Sequence, residues 1–573
     1  MNRILYFVHY NKYGSLAGYV LYLLKNIRSL YSRIVFISNS PLSREDNDAV
    51  SEFCGLVLQR KNEGYDFSAW KEGMLNDGWD SLSQYDSVTL MNDTCFGPIF
   101  DLKDVYLDME QKDSDFWGLT NHKNNKDLIW VNDKPIPEHI QSYFMCFKKN
   151  VFFSGAFRNF WEKVECKDYW HVIREYEIGL TVLLRKAGFK YSVFYDTTAY
   201  KENVSMKQVG LCLKHKVPFI KIKSFSLFSY PRYIVNFIKN NTNYPVSLIH
   251  EHLNRIYPPD VTLFTQNKMI NKKTDFEKTQ NLKIALHIHC FYTDVLDKYI
   301  KYLNNSNVDF DVFITTDSAE KKDVITNCFL NQPCFPKLKE IIITENLGRD
   351  VLPWFFIKDR LNNYDVAGHF HTKKAEKADI HVGESWQESI LDSLLYDVCA
   401  IASEFSNNKS LGVVIPEVPE IFEKKPFIEF TPSLKNILDD LWKKLKCRKE
   451  IDFSDLKKII FPMGTMFWYR PAALKPLFDW DFPAEDVPPE PLAEETILHG
   501  IERLILYVAW EAGYDYRIAT PAEDQKMGGW IAKSRNYELS HELITLKNSL
   551  SYKTGRMLLT PFRFFKCLLR KEK

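Results

Sequence analysis

Lys61–Gly73 reads KNEGYDFSAWKEG, and Thr344–Phe356 reads TENLGRDVLPWFF. Each phrase carries Asn-x-Gly-x-Asp and then an aromatic-rich run. Gly64 and Gly348 can enter the left-handed region, and Asp66 and Asp350 stand where a carboxylate caps a helix. Taken singly, each phrase is a turn into a helix. Taken together they set two parts of the chain in register, and their flanks follow the same order.

Upstream of the first phrase, RILYFVHYNKYG (3–14) holds the apolar run Ile4–Val8, which reads as a buried parallel strand. SLAGYVLYLLKNIRSL (15–30) has helical spacing, and RIVFISNS (33–40) reads as a second strand ending in small polar residues. A helix is expected from about Ser68 to Asn76, and then the strand DSVTLMNDT (86–94). The second phrase has the same surroundings: LKIALHIHCFYTD (282–294), VLDKYIKYLNN (295–305), FDVFITTDS (310–318), a helix from about Trp354 to Leu361, and YDVAGHFHTKK (364–374). The step from Tyr85 to Asn92 equals that from Tyr364 to His371. Further on, HIQSYFMCFKKNVF (139–152) is answered by PMGTMFWYRPAAL (462–474), and EIGLTVLLRKAGFKY (177–191) by ERLILYVAWEAGYDY (502–516). These landmarks indicate a tandem duplication of an α/β domain. We place the first domain at 1–203, a basic, aromatic, helical linker at 204–280, the second domain at 281–529 and a helical tail at 530–573.

Composition fits two large cores: the chain has 573 residues, 45% hydrophobic and 15% aromatic. A net charge of +1 gives no case for a nucleic-acid partner. The eleven cysteines form no CxxC pair, and Cys328 and Cys334 lack a second pair or flanking His, so free thiols in a reducing compartment are expected. The N-terminus is too short and too polar after Val8 for a signal peptide. No stretch of about 18 apolar residues is present to cross a bilayer. A cytoplasmic protein is expected.

The element order resembles the GT-A glycosyltransferase fold, in which a sugar nucleotide sits at the carboxyl ends of parallel strands. That resemblance makes His9, Asn11, Asn39, His289, Thr316 and Asp317 candidates for the nucleotide, with Asn62, Gly64, Asp66, Asn346, Gly348, Arg349 and Asp350 from the paired phrases. Polar residues at strand ends are also ordinary turn formers. Where such enzymes carry Asp-x-Asp for a divalent metal, the first copy has Asn92-Asp93. Asp93 would hold Mg²⁺ or Mn²⁺ there with water and phosphate. The second copy has His371-Thr372-Lys373 with Lys374, so cations would meet the diphosphate without metal. An acid opening a late helix would be the general base of an inverting enzyme. Glu177 and Glu502 are the candidates, with Glu175, Glu494 and Glu495 as alternatives in register, and His499 one turn before Glu502.

HYNKYGSLAGYV, NEGYDFSAWKEG, YDSVTLMNDTCFGP, ENLGRDVLPWF, YDVAGHFHTKK and LHGIERL together resemble the rhamnan synthesis protein F family, from Arg3 to about Gly529. The resemblance implies rhamnosyl transfer from dTDP-L-rhamnose to a polysaccharide on a polyprenyl-diphosphate carrier. It places this in cell-wall or O-antigen synthesis at the inner face of the membrane, beside other polysaccharide-synthesis enzymes. TILHGIERL resembles the family's His-x-x-Glu-Arg phrase and supports His499, Glu502 and Arg503. HVIREYEIGL in the first copy lacks that order, so an active second module beside a degenerate, glycan-binding first one remains an alternative. LLTPFRFFKCLLRKEK, at the C-terminus, interleaves apolar and basic residues and reads as a peripheral membrane-surface segment.

Overall fold

Ile4–Val8 are wholly inaccessible to solvent, as an apolar run must be when both faces of a parallel sheet are covered. In the computed structural model, residues 1–521 are described except 123–124, 131–133, 166, 201, 228–230, 271–281, 307, 331–336, 373–379, 419–430, 457–458, 484–485 and 488–494, together with 546 and 549; the side chains of 125–130, 134–135 and 380–386 also lie outside the description. The chain forms two compact units, Met1–Tyr257 with Phe264–Gln266, and Pro258–Leu263 with Asn267 onward.

The first unit holds β1 (Arg3–His9), β2 (Arg33–Ser38), β3 (Leu56–Gln59), β4 (Ser87–Asn92), β5 (Phe116–His122), β6 (Phe144–Lys148) and β7 (Tyr191–Tyr195). Their order across the sheet is β7-β5-β6-β4-β1-β2-β3, with His139–Ile140 paired to β5 besides. β6 runs antiparallel to β4 and β5, as His139–Ile140 does to β5; the other pairs are parallel. The second unit holds β8 (Ile284–His289), β9 (Asp311–Thr316), β10 (Lys337–Ile343), β11 (Val366–His371), β12 (Leu411–Pro416), β13 (Phe467–Tyr469) and β14 (Asp515–Ala519). Their order, β14-β12-β13-β11-β8-β9-β10, repeats that of the first unit strand for strand, including the antiparallel β13. Both units are thus mixed α/β with a mostly parallel sheet.

Strand alternation sends residues to two layers. In β1, Leu5 and Phe7 join the layer of helix α1 (Gly18–Ile27), while Ile4, Tyr6 and Val8 join that of α2 (Tyr65–Asp77). Trp70 of α2 fixes the second layer, its Nε1–H shared between Tyr6 O at 3.2 Å and Met91 O at 3.3 Å. The first layer is completed from a distant part of the chain. Val204, Val209, Ile220, Val235, Ile238, Ile249 and Leu253 are buried in the same cluster as Leu5 and Phe7. The stretch from 204 to 257, assigned to a linker on composition, is therefore core of the first unit, and its aromatic and aliphatic residues are there for that reason. After it, Pro258–Leu263 and the chain from Asn267 belong to the second unit. Met269 bridges to Ile518, and Lys268, almost fully buried, places Nζ 2.5 Å from Asp515 Oδ1.

Breaking a buried ion pair by removing one partner strands the other charge, at a cost of roughly 3 kcal/mol. Asp515 keeps a second partner, Arg517 Nη1 at 2.6 Å, so Lys268→Ala is expected to destabilise the second unit by less than that. Hydrogen exchange should then quicken in Asp515–Ala519 and its partner Leu411–Pro416 and stay unchanged in Arg3–His9.

Candidate functional site

Asn-x-Gly-x-Asp builds the same turn in each unit. Gly64 and Tyr65 have φ of 79° and 56°; Gly348 and Arg349 have 69° and 55°. Two successive left-handed residues redirect the chain after β3 and β10 and begin a helix on the next residue. At Gly348 an added Cβ would lie 2.6 Å from Leu352 Cβ, so glycine is required there twice over. Asp66 thereby enters the first turn of α2, and Asp350 the N-cap of helix α3 (Val351–Phe356), where backbone N–H groups favour negative charge. Asn62, Asn346 and Arg349 are exposed beside them.

In the first unit the strand ends are tied together by side chains. Asn92 Nδ2 donates to Asp66 Oδ2 at 2.8 Å, and Tyr10 N–H to Asp93 Oδ2 at 3.0 Å. His9 Nδ1 meets Ser38 Oγ at 3.0 Å, and its Nε2 lies 3.9 Å from Asp93 Oδ2. Asn11 N–H donates to Ser40 Oγ at 2.8 Å, and Arg60 Nη1 to Asn39 Oδ1 at 2.7 Å. Burial pushes the Asp66 carboxyl up to about 6 and the Asp93 carboxyl up to about 8, and it pushes His9 down to about 4. The charge of Lys221, from the stretch read as linker, opposes the rise at Asp66; Lys221 stands on a short strand paired with Cys95.

In the second unit Asp350 meets imidazoles instead. Its Oδ2 is 3.4 Å from His369 Nε2 and 3.9 Å from His371 Nε2. Trp354 stacks on His369 with centroids 4.7 Å apart. His289 Nδ1 lies 3.0 Å from Thr315 Oγ1, Thr316 Oγ1 donates to Cys290 O at 2.9 Å, and Asp317 pairs with Lys321 at 2.7 Å. Lys373, Lys374, Glu494 and the basic C-terminal segment lie outside the described residues.

The structure corrects one pairing between the copies. His9 and His289 both end a first strand in the sequence, yet they are not counterparts. Val8 pairs with Asn92 across the first sheet, and His289 pairs with His371 across the second. Asp93 N–H donates to Val8 O, as Thr372 N–H does to His289 O. The counterpart of His289 is therefore Val8, one residue away and on the opposite face of the sheet. On the same count Tyr6 answers to His287, Leu90 to His369 and Asn92 to His371.

The late acids do correspond. Glu177 Oε1 accepts Ser142 N–H at 3.3 Å, and Glu502 Oε1 accepts Gly464 N–H at 2.9 Å. By the registers of β6 and β13, Ser142 and Gly464 hold the same place in the two loops. The Glu177 charge acts on Asp66. In the second unit His371 Nε2 donates to Gly464 O at 2.6 Å, so the two backbone groups of one residue, Gly464, link the Asp350 cluster to Glu502. Arg503 Nη1 holds Glu502 Oε2 at 3.1 Å and His499 O at 3.0 Å, while His499 Nδ1 meets Thr496 Oγ1 at 2.9 Å. Glu495 is bonded to Thr431, and Glu175 is exposed. Sequence reasoning missed Ser142, Gly464 and Arg60, which act through contacts distant in sequence, and His287, which sits within a strand.

Asp66 and Asp93 offer hard oxygen ligands of the kind Mg²⁺ or Mn²⁺ takes. Both carry a burial penalty that a cation would relieve. Among the described residues no group of three or more His, Cys, Asp or Glu is placed to hold a metal. A cation there would need oxygens from a bound ligand or water. The second unit has Thr372 in place of Asp93 and does not offer the pair.

A profile described as RgpF, rhamnan synthesis protein F, matches residues 34–514. The chain is 30% identical over 232 residues to the uncharacterized protein WxcX of Xanthomonas campestris pv. campestris (strain B100), covering 40% of this chain and 31% of WxcX. It is 32% identical over 188 residues to the uncharacterized protein y4gN of Sinorhizobium fredii (strain NBRC 101917 / NGR234), covering 32% of this chain and 47% of y4gN. The chain thus spans less than half of either relative. Among solved structures, a putative nucleotide-diphospho-sugar transferase from Desulfovibrio desulfuricans G20 aligns at 16% identity over 36% of this chain and 88% of that one, with a TM-score of 0.22. The glycosyltransferase GlyE of Streptococcus pneumoniae TIGR4 aligns at 12% identity over 65% of this chain and 87% of that one, with a TM-score of 0.23.

Asp93 generates a stability prediction. Its carboxyl stays protonated in the folded chain up to about pH 8 but ionises near 3.8 when unfolded. Folding stability is therefore lost as pH rises between those values, by about 1.4 kcal/mol per pH unit at most. Asp93→Asn retains an acceptor for Tyr10 N–H and removes the titration. Chemical unfolding is expected to find this variant more stable than the native chain at pH 8, with the gap closing towards pH 4.

Proposed function

Because the chain belongs to the rhamnan synthesis protein F family, we propose that it is a glycosyltransferase with two modules, moving L-rhamnose from dTDP-L-rhamnose to a lipid-linked rhamnose polysaccharide. The observation that carries this reading is the matched pair of acids. Glu177 and Glu502 are each oriented by a backbone N–H from the same loop position, and in the first unit the Glu177 charge acts on Asp66 of the repeated phrase. The paired Asp, strand-end and loop residues lie where an open α/β sheet accepts a nucleotide.

In the proposed step the acceptor hydroxyl loses its proton to the carboxylate of Glu177 or Glu502. Its oxygen attacks the anomeric carbon as the bond from that carbon to the diphosphate oxygen breaks. The bonding electrons leave with the nucleoside diphosphate, and configuration at the sugar inverts. Arg503 keeps Glu502 in place. In the first module Asp66 and Asp93 would hold a divalent ion that neutralises the leaving diphosphate. In the second, Lys373 would meet it without a metal. No helix of the described residues is long and apolar enough to cross a membrane. Access to a polyprenyl-linked acceptor would then come from peripheral contact at the inner face of the membrane, through the basic C-terminal segment and alongside other synthesis enzymes.

A second reading has one active module and a degenerate, glycan-binding or scaffolding first module. It is favoured by Ile178, which takes the place of Arg503 and leaves Glu177 without an arginine neighbour in sequence.

Glu177→Gln and Glu502→Gln, assayed with dTDP-L-rhamnose and a lipid-linked acceptor, separate the two. Each is expected to lower formation of one linkage by roughly 10²–10⁴-fold, and the double variant to lower both. An unaffected product profile in Glu177→Gln would establish the one-module reading, and full activity of the double variant would end both. A chelator is expected to slow the linkage lost in Glu177→Gln and spare the one lost in Glu502→Gln.

A further inference from the structure

The second unit buries a ladder of histidines where the first has Tyr6, Val8 and Leu90. His289 Nδ1 is 3.0 Å from Thr315 Oγ1, and Thr315 Oγ1 is 2.9 Å from His287 Nε2. His287 Nδ1 is 3.1 Å from His369 Nδ1, and His369 Nε2 is 3.4 Å from Asp350 Oδ2. A neutral imidazole has one donor nitrogen and one acceptor, so these contacts fix one another's protons. With Asp350 ionised, His369 must donate from Nε2, which leaves its Nδ1 to accept. His287 then donates from Nδ1 and accepts at Nε2 from the Thr315 hydroxyl. That hydroxyl has spent its proton, so it accepts from His289 Nδ1–H. His289 Nε2 is left as a lone pair, and it makes no hydrogen bond among the described residues. Burial pushes His287, His289 and His369 below the usual imidazole range, so all three rings are neutral at pH 7.

We infer that Asp350, His369, His287 and Thr315 form a positioning relay that presents His289 Nε2 as a hydrogen-bond acceptor, and that the ligand group met there by the second unit is a donor: the imide N–H of a pyrimidine base or a ribose hydroxyl. This ligand assignment rests on the nucleotide-sugar reading above; the relay itself does not. Two observations converge on it. His289 closes β8 at the carboxyl edge of the sheet, where the fold takes ligands. The residue keeps 6% of its surface exposed, although its ring is otherwise enclosed. A buried acceptor left unmatched is costly, so the site discriminates against a ligand that brings another acceptor. Val8 offers no such group, so the two modules differ in what they select at this position.

Ring-nitrogen ¹⁵N NMR of the full chain tests the relay, with the His289 signals identified by their loss in His289→Gln. The expected spectrum shows His289 neutral and protonated on Nδ1. Thr315→Val should mix the two tautomers, and Thr315→Ser should restore the native one, which a merely structural Thr315 would not do. A His289 protonated on Nε2 in the native chain would overturn the relay. Calorimetric titration with dTDP, N3-methyl-dTDP and 3′-deoxy-dTDP tests the ligand. One analogue is expected to bind one of two sites about tenfold or more weakly: the methylated one if the base supplies the donor, the deoxy one if the ribose does. Thr315→Val should reproduce that loss with dTDP itself. Equal binding of all three ligands at both sites overturns the donor assignment. Failure of dTDP, UDP and GDP to bind at all overturns it together with the nucleotide-sugar reading, while the tautomer result judges the relay independently.

Discussion

Two consecutive left-handed residues hold each site in shape. Gly64–Tyr65 and Gly348–Arg349 end a strand connection and lead into a helix, and the non-glycine member of each pair costs about 1–2 kcal/mol in backbone strain. The return is position. Asp66 and Asp350 come to lie against the end of the central strand, in hydrogen-bond reach of Asn92 in one unit and His369 in the other. Trp70 and Trp354, one helical turn further on, are fully buried and keep the helix from relaxing the turn.

Upon this shared frame the two units have diverged in chemistry rather than in topology. The strand order is the same, and the same loop amide steadies the same glutamate. What differs is the side of the sheet beneath the aspartate. The first unit fills it with Tyr6, Val8 and Leu90 and leaves its polarity to two carboxylates whose burial keeps them protonated to higher pH. The second fills it with imidazoles that burial holds neutral. One site is built to be relieved by positive charge, and the other to exchange hydrogen bonds in a fixed direction.

Much of this was legible in the sequence. The repeated phrase, the equal steps to Asn92 and His371, and the late glutamates all give the correct register, because turns and helix starts demand particular residues at particular spacings. His9 and His289 misled for an equally physical reason: strands have a period of two, so a slip of one residue leaves an apolar run looking unchanged while turning every side chain over. The pairing of Asp66 with Asp93 was hidden because their strands and helix are neighbours in space alone. The stretch 204–257 was legible as aromatic and basic, but composition does not say against which surface an amphipathic helix is laid.

That stretch bears on how such a chain can be rearranged. Leu5 and Phe7 share a buried cluster with residues of 204–257 as well as with Leu102, Val105, Tyr106 and Met109 between β4 and β5, whereas Leu286 and Ile288 share theirs with Ile390, Leu394, Ile401 and Phe405, which lie between β11 and β12. The same sheet face thus draws part of its core from outside the repeat in the first copy. The repeated portions are not interchangeable cassettes. Recombination that swapped them at the edges of the repeat would carry the polar strand ends intact and leave one core open to water.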